Sequence, residues 1–151
     1  MRAVIALGAN LEEPKAAVEL AITLLEQATN VIARSTLYST KPVGGPPQPD
    51  YINAVCIIDS ELPARDLLGL LHGIEKSMGR VRNERWGPRV IDLDLITYGD
   101  LVVEDEDLTL PHPRAHERRF VLEPWLEIDP DAKLPLHGRV SDILAELPPS
   151  K

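Results

Sequence analysis

Residues 91–95 read Ile-Asp-Leu-Asp-Leu, and this strict alternation constrains the folding of the chain more tightly than any other stretch. A period of two belongs to a β-strand, so Asp92 and Asp94 project from one face while Ile91, Leu93 and Leu95 bury on the other. The strand therefore belongs in a sheet with one apolar-covered face and one face open to water or a ligand. Two adjacent carboxylates repel each other unless a divalent cation sits between them. Mg²⁺ suits this arrangement, because it takes one or two carboxylates plus substrate phosphates and water rather than a full protein cage. Just upstream, the segment 79–89 carries Arg80, Arg82, Arg85 and Arg89. Arginine is charged at every physiological pH, and its forked donors match phosphate oxygens.

Each feature has an ordinary explanation. An isolated Asp-x-Asp is most often a solvated strand face, and arginines near a turn usually form surface ion pairs of little energetic value. Their conjunction is more specific. The interposed Trp86-Gly87-Pro88 breaks regular structure and places a large indole where a loop has little use for one without a target. Together these residues point to transfer of a phosphorus group from a magnesium-bound nucleotide.

Composition narrows the class. A chain of 151 residues, 44% hydrophobic, can form one domain that buries roughly 70% of its unfolded surface. The formal net charge of −8 disfavours a nucleic-acid binder, since that binding depends on positive charge meeting phosphate. The arginines are uneven, with seven of eleven between Arg80 and Arg119, which implies a local cationic site in an acidic protein. Cys56 is alone in an apolar run and has no internal disulfide partner, so a reduced thiol and a cytoplasmic location are expected. No leader or membrane-spanning run is legible.

Along the chain, 2–7 suits a buried strand and Gly8–Asn10 a turn. Pro14 suits the first position of a helix whose face is Val18, Ala21, Ile22 and Leu25. Residues 31–38 and 51–58 read as strands. Between them, 41–50 holds four prolines and two glycines, which excludes regular structure and suits a substrate lid. Pro63 opens a second helix with Leu67, Leu71, Ile74 and Met78 on one face, and Gly79 closes it. After the Asp-x-Asp strand, 101–104 is expected to pair back on it. Ser141 is expected to cap a last helix carrying Ile143, Leu144 and Leu147, with 148–151 frayed. The order strand, helix, two strands, helix, strand predicts an α+β ferredoxin-like sandwich with a mainly antiparallel sheet and extra C-terminal elements.

The segments ALGANL (6–11), STKPVGGPPQPDYINA (39–54), GRVR (79–82), RWGPRVIDLDLITYG (85–99) and LPHPRAHERRFVLEPW (110–125) resemble the 6-hydroxymethyl-7,8-dihydropterin pyrophosphokinase family, in order and almost end to end. The resemblance implies the same sandwich fold and a cytoplasmic enzyme of folate biosynthesis. Such an enzyme moves diphosphate from ATP to the pterin alcohol and releases AMP. It further implies that Asp92 and Asp94 ligate a pair of Mg²⁺ ions and that Arg80 and Arg89 contact the transferring group. ATP would also meet His112 and Arg118, and Arg82, Arg85 and Trp86 on a loop that closes over it. On the pterin side, Tyr51 and Phe120 would sandwich the ring and Asn53 would read its edge, supported by Thr40 and Val43, with Asn10 bracing the pocket. Arg114, His116, Arg119, His72 and His137 are given the surface by default. The implied partners are ATP and the dihydropterin, with no nucleic acid or membrane, and the chain is expected to be a monomer. Two other readings stay open: a different magnesium-dependent nucleotidyl or phosphoryl transferase on the same sandwich, and a non-catalytic nucleotide-binding module.

Overall fold

The computed structural model describes residues 1–11, 13–42, 47–79 and 90–148. In chain order these form β1 (Arg2–Ala9), α1 (Pro14–Ala28), β2 (Asn30–Arg34), β3 (Tyr38–Thr40), β4 (Tyr51–Asp59), α2 (Ala64–Ser77) and β5 (Asp92–Tyr98). They continue as β6 (Val103–Glu104), β7 (Thr109–Leu110), α3 (Arg119–Ile128), β8 (Lys133–Leu134), β9 (Gly138–Arg139) and α4 (Val140–Glu146). The main sheet runs β2-β4-β1-β5 with β3 also on β4, and all of these pairings are antiparallel. This is the expected ferredoxin-like α+β sheet, and β1 and β4 lie at its centre.

Alternation divides the three long strands between two cores. Ala3, Ile5, Leu7, Ala9, Ile52, Ala54, Cys56, Ile58, Leu93 and Leu95 pack with α1 and α2, through Val18, Ala21, Ile22, Leu25, Leu67, Leu71 and Ile74. On the opposite face Val4, Ala6, Val55, Ile57 and Ile96 pack under α3 and α4, through Val121, Leu122, Trp125 and Val140. A β-bulge between Val4 and Ile5 lets β5 keep Leu95 and Tyr98 in the first core and Ile96 in the second. The Glu127 carboxylate docks the far end of α3 on the sheet. It accepts hydrogen bonds from the Thr36 N–H at 3.0 Å, the Thr36 hydroxyl at 2.8 Å and the Tyr38 hydroxyl at 2.7 Å.

Several expectations are corrected. Gly8 and Ala9 are not a turn but the end of β1, because both are paired across the sheet. The single strand expected at 31–38 is two strands, β2 and β3: at Ser35 the N–H still donates to the Val55 carbonyl at 2.9 Å, but the hydroxyl, not the carbonyl, accepts the Val55 N–H. Residues 103–104 pair with β7 rather than with β5, as a separate ribbon. Ser141 lies inside α4, whose N-cap is Arg139 with no side-chain cap bond. Pro63 precedes α2 rather than opening it, while Gly79, at φ +79°, follows α2 in the left-handed conformation that glycine adopts cheaply. Helix α3 was not anticipated. It is ten residues long and carries Pro124 in its interior, a residue that ordinarily argues against a helix.

Candidate active site

The second face of the sheet stays apolar only as far as α3 covers it. Toward the ends of β1, β4 and β5 that meet at Gly8, it turns polar in two adjacent rows set by register. In one row Asn53, Gly8 and Asp92 are cross-strand neighbours; in the next stand Val55, Ala6 and Asp94. Tyr51, Asn53, Asp92 and Asp94 therefore share a face. Neighbouring strands are about 4.8 Å apart, so roughly 10 Å separates the Asn53 amide position from the Asp92 position.

On the β4 side the groups are neutral and mutually satisfied. Asn53 is buried, and its Nδ2 donates to the Thr40 hydroxyl. The equally buried Asn10 donates from Nδ2 to the Gln48 side-chain oxygen at 2.7 Å and to the Pro49 carbonyl at 3.0 Å. Those bonds tie the chain leading into Tyr51 to the end of β1.

The β5 side is ionic and more open. Asp92 and Asp94 are half-buried, and an Arg118 guanidinium nitrogen stands 3.9 Å from Asp94 Oδ2, an ion pair too long for a hydrogen bond. The same guanidinium lies 5.5 Å from the centroid of the Phe120 ring, within cation–π range, so Arg118 bridges the aromatic group at the start of α3 and Asp94. β5 is an edge strand. Its outer edge is covered by the Glu75 carboxylate, which accepts the Leu93 N–H at 2.8 Å, and by the His112 N–H, which donates to the Ile96 carbonyl at 2.8 Å. Between them opens a cavity of about 300 Å³ lined by Asp94, Glu75, His72, Leu95, Thr109 and His112, among others. His112 Nδ1 accepts the Arg114 N–H at 3.2 Å, so the ring's proton belongs on Nε2. Burial, and then the Arg118 and Arg114 charges, push its pKa down to about 4, which keeps the ring neutral at physiological pH.

Of the residues singled out in the sequence, the fold brings Thr40, Tyr51, Asn53, Asp92, Asp94, Arg118 and Phe120 to one end of one sheet face, with His112 on the neighbouring edge. Val43, Arg80, Arg82, Arg85, Trp86 and Arg89 lie outside the described residues, as does part of the expected lid at 41–50. Arg119 is occupied structurally, bonding Glu123 and the carbonyls of Leu147 and Pro148. His116 and His137 stack on each other at 4.1 Å. His72, given the surface, is exposed but borders the cavity. Sequence reasoning missed Glu75. Its signal was a carboxylate on the apolar face of α2, one turn beyond Leu71 and next to Ile74, where a charge needs a partner.

Two hard-oxygen carboxylates beside a partly covered cation fit Mg²⁺ completed by phosphates and water. Among the described residues, no group of three or more His, Cys, Asp or Glu is placed to hold a metal by itself. An antiparallel sheet with a carboxylate pair and an amide on one face, and a cavity at the adjoining edge, can serve a transferase that brings two substrates together. Residues 4–130 match the 7,8-dihydro-6-hydroxymethylpterin-pyrophosphokinase (HPPK) family. The chain is 40% identical over 146 residues to the 2-amino-4-hydroxy-6-hydroxymethyldihydropteridine pyrophosphokinase of Haemophilus influenzae, covering 95% of this chain and 91% of that one. It is 43% identical over 152 residues to the Methylorubrum extorquens protein of the same name, covering 99% and 95%. Among solved structures, wild-type Plasmodium falciparum HPPK-DHPS superimposes with a TM-score of 0.75 at 12% identity, a likeness of fold. That match covers 96% of this chain and 44% of the longer one. The chain belongs to the HPPK family and is a pyrophosphokinase.

Proposed function

We propose that this chain transfers the diphosphate of ATP to the hydroxymethyl group of 6-hydroxymethyl-7,8-dihydropterin in folate biosynthesis, and that the residues on the polar end of the sheet carry the reaction. The observation that supports this most directly is the register row Asn53–Gly8–Asp92. It sets an amide able to read a heterocyclic edge one strand away from Gly8 on one side and a carboxylate one strand away on the other. A bicyclic ring held at Asn53 with its one-carbon arm spans that gap. In this reading Tyr51 and Phe120 stack on the ring. Thr40 holds the Asn53 amide, and Val43 is the further residue that the family resemblance assigns to the pterin.

Asp92 and Asp94 would hold a pair of Mg²⁺ ions together with the ATP phosphates. Bound there, the metal supplies charge neutralisation and polarisation at phosphorus. Arg118 and neutral His112 Nε2–H donate to phosphate oxygens, and the nucleoside occupies the cavity behind Asp94. Arg80, Arg89, Arg82, Arg85 and Trp86 complete the grip on ATP. The pterin hydroxyl then attacks the β-phosphorus in line and AMP departs, with the guanidinium donors stabilising the charge on the bridging and leaving oxygens. Orientation of the two substrates carries a large share of the rate, since positioning alone can supply ~7–11 kcal/mol.

The amide, aromatic and carboxylate groups lie in one sheet-and-helix unit, which supports reading the chain as a single pyrophosphokinase domain that acts as a monomer. Cys56 is buried and its thiol is pushed up to about 12, chiefly by desolvation, which leaves it inert and fits a reducing cytoplasm. Among the described residues no helix is long and apolar enough to cross a membrane. Phosphorus NMR of a completed reaction with ATP, Mg²⁺ and the pterin alcohol tests the reading. AMP with a diphosphorylated pterin is expected; ADP with a monophosphorylated pterin overturns the mechanism, and no turnover overturns the substrate.

A further inference from the structure

On the face of β1 that meets the site, the side chains are Val4, Ala6 and Gly8, shrinking to nothing in the row shared with Asn53 and Asp92. A glycine inside a strand is unfavourable, because it loses more backbone freedom than other residues and offers nothing to pack. Backbone conformation does not call for one here, since Gly8 does not adopt the positive φ found at Gly79, Gly99 and Gly138. Space does. A Cβ on Gly8 would lie 2.8 Å from Asn53 Oδ1 and 3.8 Å from Asn53 Cγ. Asn53 has little room to yield, being 5% exposed, bonded through Nδ2 to Thr40, and held in register by Gly8 on one side and Tyr38 on the other.

We propose that Gly8 is a positioning residue for the acceptor substrate. Its missing Cβ lets the Asn53 amide lie across β1 with Oδ1 toward the strip of bare backbone that separates Asn53 from Asp92. That strip is the floor over which the arm of a flat heterocycle passes to the carboxylates. The inference rests on the pterin reading above and adds the residue that sets how the amide faces the ring. Any side chain at position 8 would turn the amide, so the effect falls on the acceptor and spares the nucleotide.

Calorimetry on four proteins tests this: the wild type, Gly8→Ala, Asn53→Ala and the double variant. Each is titrated with an ATP analogue plus Mg²⁺, and then with the dihydropterin alcohol. Gly8→Ala is expected to weaken pterin binding by about tenfold or more, because a turned amide leaves buried polar groups unpaired, and to leave the analogue's affinity unchanged. In the Asn53→Ala background the same substitution is expected to weaken it by no more than about twofold, since the partner it acts through is gone. Equal loss for both ligands, or full independent losses in the double variant, overturns the proposal. Should Gly8→Ala fail to fold, the double variant is expected to fold, because the clash is with the Asn53 side chain; its failure would make Gly8 a packing residue and also overturn the proposal. A wild type that does not bind the pterin overturns the substrate reading, an outcome distinct from either.

Discussion

The two faces of β1, β4 and β5 differ in kind although they are made of the same strands. Toward α1 and α2 the alternate residues are aliphatic, with Cys56 among them and Tyr98 at the end of β5. Toward α3 and α4 they are aliphatic only under the helices, and give way at one end to Tyr51, Asn53, Gly8, Asp92 and Asp94. One face supplies stability, and that allows the other to hold like charges close together and to leave a strand position without a side chain. Within the polar end the contrast repeats on a smaller scale. The amide side is buried and satisfied, whereas the carboxylate side is half-open and ionic.

The sharpest way to break this division is to neutralise one carboxylate. Asp94→Asn keeps the volume and removes a hard anionic ligand, so turnover should fall roughly a thousandfold, equivalent to about 4 kcal/mol of barrier, with the melting temperature close to wild type. Steady-state kinetics beside a thermal melt would check it, and near-normal turnover would remove Asp94 from the metal site. The mirror experiment is Ile5→Ala on the opposite face. Ile5 is fully buried, so the substitution should cost about 3 kcal/mol in a urea titration while leaving kcat per folded molecule unchanged. A selective loss of kcat would show that the two faces are not separable.

A smaller effect follows from His112. Its folded pKa, about 4, lies below the usual histidine value, so the unfolded chain binds the extra proton first as pH falls. Stability should be independent of this group above about pH 6.5 and decline as pH falls from there toward 4. Replacing His112 with Gln should flatten that part of the melting-temperature profile. Proton NMR of the His112 ring should show no titration between pH 6 and 8, and a midpoint near 6.5 would contradict its burial beside Arg118 and Arg114.

Much of this was legible locally. Helices α1 and α2 announce themselves by apolar spacing and by Pro14 and Gly79, and the alternation at 91–95 placed Asp92 and Asp94 on one face before any neighbour was known. Helix α3 was hidden because Pro124 removes a donor and breaks the usual helical signature. Its stability comes from Val121, Leu122 and Trp125 in the second core and from Glu127 holding Thr36 and Tyr38. Gly8 looked like a turn because glycine so often marks one, and a steric reason for glycine exists only when another strand is alongside.

The amino-acid order by itself determined which residues could do the chemistry and which way each faces along its own strand, because period and propensity are properties of consecutive residues. The tertiary structure alone decided which of them meet. Register between β1, β4 and β5 is a non-local choice, enforced by burying the α1/α2 face, since a slip of one residue would turn every side chain of a strand to the other side. That choice placed Gly8 between Asn53 and Asp92, and Glu75 on the Leu93 N–H.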